Sequence, residues 1–380
     1  MIYMDNAATT KPRKEVVKKM LPFLCENYGN PSGAYEIARD NKAAVEAARH
    51  EIAKVIRAED NEIYFTSGGS EADNWAIKAV AESYVGKGKH IITTAIEHHA
   101  VLHTCEYLEH KGFEVTYLPV DEYGIVSVDT LKNAVRDDTI LISVMFANNE
   151  VGSIQPIEEI GKFAKERGIL FHTDAVQAFC HVPIDVEKMN IDLLSLSGHK
   201  FYGPKGIGAL YIKTGIKIKS FIHGGAQEMG KRAGTENVAA IVGIGEAARL
   251  AASKMTEESE KLSHLRDKLI EGILKEIPFS RLNGHPAKRL PGNVNVSFDF
   301  VEGESILLLL DMKGICASGG SACNSGSHKP SHVLLAIGLP FEKARSSLRL
   351  TLGSFNTEEE VDEVLRELTF IIARLREMSF

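Results

Sequence analysis

Apolar residues along this chain follow two alternating patterns. Short, nearly continuous apolar runs (EIYFTS, HIITTAI, EVTYLPV, TILISVMF, ILFHTDA, DLLSLSG and GALYIK) are separated for the most part by stretches with apolar residues at helical spacing. SEADNWAIKAVAESYV reads as a helix capped by Ser70 with Glu71 in its first turn, and HHAVLHTCEYLEHKG as a helix ending in glycine. VDTLKNAVRD and IEEIGKFAKERG continue the alternation. Strands apolar on both faces and joined by helices predict an α/β fold whose mostly parallel sheet is covered on both sides. Ahead of this region stand a helix interrupted at Pro22, the turn GNPSG and the long helix AYEIARDNKAAVEAARHEIAKVI.

Around residue 255 the pattern changes. A long amphipathic helix (EESEKLSHLRDKLIEGILKEI) leads to the strand GNVNVSFDF, the helix SILLLLDMKG, the strand SSLRLTLG and a closing helix, TEEEVDEVLRELTFIIARLREM. This second set predicts a small α+β domain joined by part of the N-terminal segment. The expected organisation is a large α/β domain over residues 15–255, and a small domain over 1–14 and 256–380. The small domain carries the bare loop CASGGSACNSGSH, residues 316–328.

Composition adds limits. The 380 residues are 44% hydrophobic and 25% charged, enough apolar material for a large core. A net charge of -7 with interspersed signs argues against a direct nucleic-acid partner. The longest apolar run, SILLLLDM, is broken at Asp311, so no membrane association is expected. The opening MIYMDNAATT has no basic region leading into an apolar one. Cys25, Cys105, Cys180, Cys316 and Cys323 are scattered and odd in number, which suits a reducing compartment; the expected localisation is cytoplasmic.

The candidate chemistry gathers at strand ends. LSLSGHKFYGPKG places Lys200 just after an apolar strand, among small residues that allow a planar group to approach. A lone lysine in a turn is ordinarily a surface residue. Here ILFHTDAVQ puts Asp174 and Gln177 after another strand, and FTSGGSEADN puts a glycine-rich turn at a helix start, suited to a phosphate. No P-loop or dinucleotide fingerprint occurs. Phosphate cradle, acid and lysine together form a pyridoxal phosphate pattern at the carboxyl edge of one sheet. His98 sits at a strand-to-helix junction. His99 and His103 have helical metal-ligand spacing but lack a further ligand nearby. The paired Asn148 and Asn149 follow a strand. Arg349, inside the apolar run SSLRLTLG, needs an anion: a substrate carboxylate or a structural partner.

With these motifs assembled, the chain resembles the cysteine desulfurases of the NifS/IscS type, in the class V aminotransferase group of fold-type I pyridoxal phosphate enzymes. The matching segments run nearly end to end: YMDNAATT, YGNPS, FTSGGSEADN, EHHAV, NNEVGSIQP, HTDAVQ, SGHKFYGPKGIGALY, RAGTENV, LPGNVNVSF, SGGSACNSGSHKPSHVL and SSLRLTLGSFNTEEEVD. The resemblance implies that Lys200 carries pyridoxal 5'-phosphate as a Schiff base. It implies that Asp174 pairs with the pyridine nitrogen, that His98 stacks on the ring and that Gln177 reaches the phenolic oxygen. Gly69, Ser70, Ser197 and His199 would hold the phosphate. Thr235 would reach the phosphate of a neighbouring subunit, implying a homodimer. Asn149 and Arg349 would hold the carboxylate of L-cysteine, and Cys323 would take its sulfur as a persulfide.

The implied function is conversion of L-cysteine to L-alanine. The sulfur would pass to an acceptor or iron–sulfur scaffold protein, for cluster assembly or tRNA thiolation. No resident metal is expected, with Cys323 available as a transient iron–sulfur ligand. Cys316, after the apolar MKGI, is expected to be buried and inert. Residues 69 and 70 are Gly-Ser where the family more often has Ala-Thr, Tyr35 replaces a common histidine, and Ala226 and Ala233 depart from the glycine-rich segment before GTENV. The alternatives are another class V enzyme, such as a selenocysteine lyase or an aminotransferase, and a metal or cluster scaffold built on Cys316, Cys323, His328 and His332. The first would not need a thiol on the 316–328 loop; the second would leave Lys200 without a role.

Overall fold

The computed structural model describes residues 1–319 and 330–378. Cys323 and His328 lie outside the described residues. Seven strands form the main sheet: β2 (Ile63–Thr66), β3 (His90–Thr94), β4 (Glu114–Leu118), β5 (Thr139–Ser143), β6 (Leu170–Asp174), β7 (Leu193–Ser197) and β8 (Gly208–Ile212). Their order is β2-β8-β7-β6-β5-β3-β4. Only β8 runs against its neighbours. Strands β3, β5, β7 and β8 are buried at every residue, as expected for a sheet covered on both faces. The α/β class expected from the alternation is the class observed.

The helices are α1 (Lys14–Met20), α2 (Pro22–Cys25), α3 (Glu36–Ile56), α4 (Gly69–Tyr84), α5 (His99–Glu109), α6 (Val128–Ala134), α7 (Ile157–Arg167), α8 (Gln227–Gly230), α9 (Val238–Glu276), α10 (Gly303–Met312), α11 (His332–Ala336), α12 (Phe341–Arg345) and α13 (Glu358–Met378). Pro22 divides α1 from α2. One expectation is corrected at α4. The helix starts at Gly69 with Gly68 as N-cap, and Ser70 lies inside the first turn. No side chain caps this end, because the two glycines begin the turn with backbone alone.

The change of pattern near residue 255 is not a break in the chain. Helix α9 runs unbroken for 39 residues. Its first half, Val238 to Ala251, packs into the apolar cluster beside the large sheet, and Leu262 to Ile273 belong to a second cluster. Gly245 allows α9 and α3 to touch, since a Cβ there would lie 2.6 Å from Ala48 Cα. The second cluster is built on an antiparallel sheet, order β12-β10-β9, of β9 (Ser280–Leu282), β10 (Asn293–Phe298) and β12 (Ser347–Thr351). Ile2 and Met4 join it, and β1 (Ile2–Tyr3) pairs in parallel with β11 (Ile315–Cys316).

From there the N-terminal segment crosses to the large sheet. Thr351 N–H donates to the Met4 carbonyl, Ala7 N–H to Thr351 Oγ1, and Thr10 N–H to the His199 carbonyl. A buried ion pair fixes the outer side of the large sheet. Arg49 Nη1 and Nη2 donate to Glu228 Oε2 and Oε1 at 2.8 and 3.1 Å, and Phe65 N–H donates to the same carboxylate at 2.8 Å. Both side chains are 4% exposed, so losing one leaves the other charged and dry. Glu228→Ala is therefore expected to lower stability by about 3–5 kcal/mol, read as a fall in the midpoint of chemical or thermal unfolding.

Candidate active site

The carboxyl ends of β2, β3, β5, β6 and β7 open into one cavity of about 350 Å³. Gly69 and Ser70 follow β2, His98 follows β3 and Asn149 follows β5. Asp174 ends β6 and Ser197 ends β7, with His199 and Lys200 in the short helical turn beyond. Gln177 and Arg349 also line the cavity. A larger recess of about 550 Å³, beside Phe300 and Phe341, contains none of these residues. Placement at strand ends explains the convergence. A parallel sheet brings its carboxyl ends together, and residues scattered over 130 positions become neighbours.

Lys200 Nζ donates to the Ala7 and Ala8 carbonyls at 2.5 and 2.9 Å, and Gln177 Nε2 donates to the Ala7 carbonyl at 2.9 Å. Asp174 Oδ1 accepts the Val176 N–H at 2.9 Å. Burial raises the Asp174 carboxyl to about 6, against the opposing pull of that N–H and of Lys200. His98 is the N-cap of α5, and its Nδ1 accepts the Ala100 N–H at 3.1 Å. Burial, and then Lys200, hold the His98 imidazole down to about 4, so it is neutral at pH 7 with its proton on Nε2. It both caps the helix and faces the cavity. His199 is likewise lowered to about 4, by burial and then Lys200.

The two asparagines divide their work. Asn148 is buried and structural: its Nδ2 donates to the Ile96 carbonyl, and its Oδ1 accepts the Glu150 and Val151 N–H groups. Asn149 lines the cavity, and its carbonyl accepts from Arg349 Nη1 at 2.9 Å. Arg349, 1% exposed, also donates from Nη2 to Asp5 Oδ1 at 3.1 Å. Its Nε is buried without an acceptor among the described residues. Of the two anions considered from sequence, the structural partner is present, and it is Asp5.

The donor set fits pyridoxal phosphate. The uncapped N-terminus of α4 offers backbone N–H groups and a helix dipole to a phosphate, beside the Ser70 and Ser197 hydroxyls. Gly208 lets this turn lie close against β7, since a Cβ there would meet the Leu196 carbonyl at 2.5 Å and Gly68 at 2.8 Å. An acid and a lysine complete the set. Thr235 is not in the cavity. It lines a separate recess with Ser67, Gly206 and Arg232, on the other side of the 67–70 turn.

Cys316 is half-buried on β11, not buried as expected, because that strand is two residues long and lies outside the larger sheets. The rings of His99 and His103 stack at 5.0 Å, and His332 lies 4.8 Å from His99. Among the described residues no group of three or more His, Cys, Asp or Glu is arranged to hold a metal.

Sequence reasoning missed Asp5, Asp73, Glu97, Glu150 and the Ala7 and Ala8 carbonyls. The conspicuous NAATT segment was the available signal for the carbonyls. The buried acids lie within one or two residues of recognised motif positions, where their burial was not legible. Glu97 shows the cost of that burial. Its Oε1 accepts the Thr94 hydroxyl at 2.7 Å and the Met145 N–H at 2.9 Å, yet burial still raises the carboxyl to about 8. An acid raised on folding stabilises fully below its unfolded value, near 4.5, and that contribution is lost as pH rises through about 8. Glu97→Gln keeps an acceptor oxygen and cannot ionise. Its melting temperature is expected to rise relative to the parent as pH goes from about 5 to about 9, measured by calorimetry at matched ionic strength.

Three comparisons agree. A model of the family described as aminotransferase class-V matches residues 2–364. Cysteine desulfurase IscS of Methanosarcina thermophila is 64% identical over 378 residues, covering 100% of this chain and 93% of that protein. A solved NifS-like protein has a TM-score of 0.93 at 40% identity, over 98% of this chain and 99% of its own. A solved structure of SspA in complex with cysteine has a TM-score of 0.84 at 41% identity, over 94% of this chain and 100% of its own.

Proposed function

This chain belongs to the class-V aminotransferase family, among its cysteine desulfurases, and from that premise we propose how its own residues divide the work. The observation that carries the proposal is the meeting of Lys200, Asp174, His98 and Arg349 around one cavity, with an unclaimed Nε–H on Arg349. Pyridoxal phosphate, when bound, supplies an aldehyde carbon for a Schiff base with an amine and an electron sink for charge at Cα. Gly69, Ser70, Ser197 and His199 would hold its phosphate, and Gln177 and Asp174 would serve its phenolic oxygen and ring nitrogen.

Arg349 binds the carboxylate of L-cysteine through the edge that Asp5 and the Asn149 carbonyl leave open. Lys200 Nζ, once displaced by the substrate amine, takes the Cα proton. His98, neutral and carrying its proton on Nε2, moves protons on the substrate side. The Cys323 thiolate then attacks the substrate sulfur. The Cβ–S bond breaks as the S–S bond forms, and the electron pair stays with the three-carbon fragment. Protonation of that fragment gives L-alanine, and Cys323 keeps the sulfur as a persulfide for an acceptor protein.

Thr235, outside the cavity of its own chain, would be free to reach the cofactor phosphate of a second subunit, and the working enzyme would then be a homodimer. Among the described residues no helix is long and apolar enough to cross a membrane. That and the scattered thiols support a cytoplasmic enzyme. Iron–sulfur assembly is the favoured destination of the sulfur.

Two experiments test this reading. Borohydride reduction of the loaded enzyme is expected to fix the cofactor on Lys200, and Lys200→Ala is expected to fold but not turn over. Label on another lysine would refute the assignment. Cys323→Ser is expected to lose alanine formation from L-cysteine by at least about 100-fold, while Cys316→Ser keeps most of it. Peptide mass spectrometry should find the added sulfur on Cys323. A dead Cys316→Ser with an active Cys323→Ser would reverse the roles.

A further inference from the structure

Next to Asp174 lies a dry polar layer that the chemistry above does not use. Asp73, on α4, is 1% exposed and lines the same cavity. Its Oδ1 is buried without a hydrogen-bond partner among the described residues. His172 Nε2 lies 3.7 Å from that oxygen. His172 is itself fully buried between two hydroxyls, with Nδ1 2.8 Å from Ser143 Oγ and Nε2 3.0 Å from Ser195 Oγ. Burial holds its imidazole down to about 3, so it brings no positive charge. The Ser195 hydroxyl favours the ionised form of Asp73, against the larger effect of burial. Ser143, His172 and Ser195 thus form an uncharged chain that ends beside Asp73.

The remaining titratable neighbours of Asp73 are acids. Asp174 on β6 and Glu97 beyond β3 both act on it. Glu71, two residues away on α4, is turned from the layer and paired with Arg232 at 2.8 Å. An ionised Asp73 would face two further carboxyl groups, with no ion pair to an Arg or Lys side chain among the described residues and with one oxygen lacking any donor there. That is among the costliest arrangements a buried carboxylate can have.

We propose that Asp73 is a positioning residue that holds a proton in the working enzyme, so that the acid pair beside the cofactor ring carries a single negative charge, placed on Asp174. The proposal rests on the reading of Asp174 as the acid facing the ring nitrogen. The surroundings of the two acids decide which keeps the proton. Asp174 has the Val176 N–H and the influence of Lys200 on its side, and rises only to about 6. Asp73 has one hydroxyl and is driven well above the ordinary carboxyl range by burial and by Asp174. Two interacting buried carboxyls do not both ionise, and the better solvated one gives up its proton first. Asp73 thereby keeps a second negative charge away from the ring.

The test compares Asp73→Asn, Asp73→Ser and Asp174→Asn in the full-length chain. Infrared difference spectra of the cofactor-free protein at neutral pH are expected to show a carboxylic-acid carbonyl band in the parent. One component of that band should be lost in both Asp73 variants and kept in Asp174→Asn, while the component from Glu97, itself raised to about 8, persists in all of them and disappears in Glu97→Gln. In the loaded enzyme, Asp73→Asn is expected to leave the pH titration of the bound chromophore unmoved and kcat/KM within about threefold of the parent. Asp174→Asn should shift that titration. An acid band that both Asp73 variants leave unchanged overturns the proposal. So does a shift of about one unit or more in the Asp73→Asn titration. If Asp174→Asn also leaves the chromophore unmoved, the assignment of Asp174 fails, while the infrared band still reports the proton on Asp73.

Discussion

The seam of hydrogen bonds made by residues 4–10 is the constraint on which the site depends. The segment is held at Thr351 on one side and at His199 on the other. Arg349 lies two residues before Thr351, and Lys200 one residue after His199. Seven residues of backbone, Met4 to Thr10, therefore set the distance between the group that takes a substrate carboxylate and the lysine that handles its amine. The seam also supplies the Ala7 and Ala8 carbonyls that engage Lys200. Asp5 within it orients Arg349, helped by the Ser318 hydroxyl, which donates to Asp5 Oδ1 at 2.9 Å. A small shift in this segment would move both ends of the substrate site at once.

Electrostatics around the cavity are set by dryness more than by ion pairs. Glu97, Glu150, Asp73 and Asp174 are all buried, and all are pushed above the ordinary carboxyl range. His98, His172 and His199 are pushed below theirs. Each shift favours the neutral form. Fixed charge in the site is thereby confined to Lys200, the Arg349–Asp5 pair and Asp174, and the groups between them stay neutral. Proton transfers then occur among groups whose neutral forms are already the stable ones.

Much of this was legible in the sequence, for identifiable reasons. Strands buried on both faces leave continuous apolar runs, and the residues that follow them must lie at the ligand edge; Lys200, Asp174, His98 and Asn149 were found on that logic. Arg349 stood out because a charge inside an apolar strand needs a partner. Asp5 was hidden because its partner lies 344 positions away. Asp73 was hidden because, in SEADN, an acid without a charged partner and the ion-paired Glu71 look alike. The two-residue strands β1 and β11 are too short to leave a period. The continuity of α9 was masked where its exposed middle turns polar near Thr256.

Helix α9 spans about 58 Å at 1.5 Å per residue, with one end in each apolar cluster. Neither cluster closes without its half of the rod, and a helix carries order along its length because each added hydrogen bond depends on the last. Loss of packing at one end exposes backbone that the other end has been holding helical. The two cores are thereby coupled in their melting as well as in their geometry. A fragment cut near residue 255 would give each piece a frayed helix end in place of a buried one.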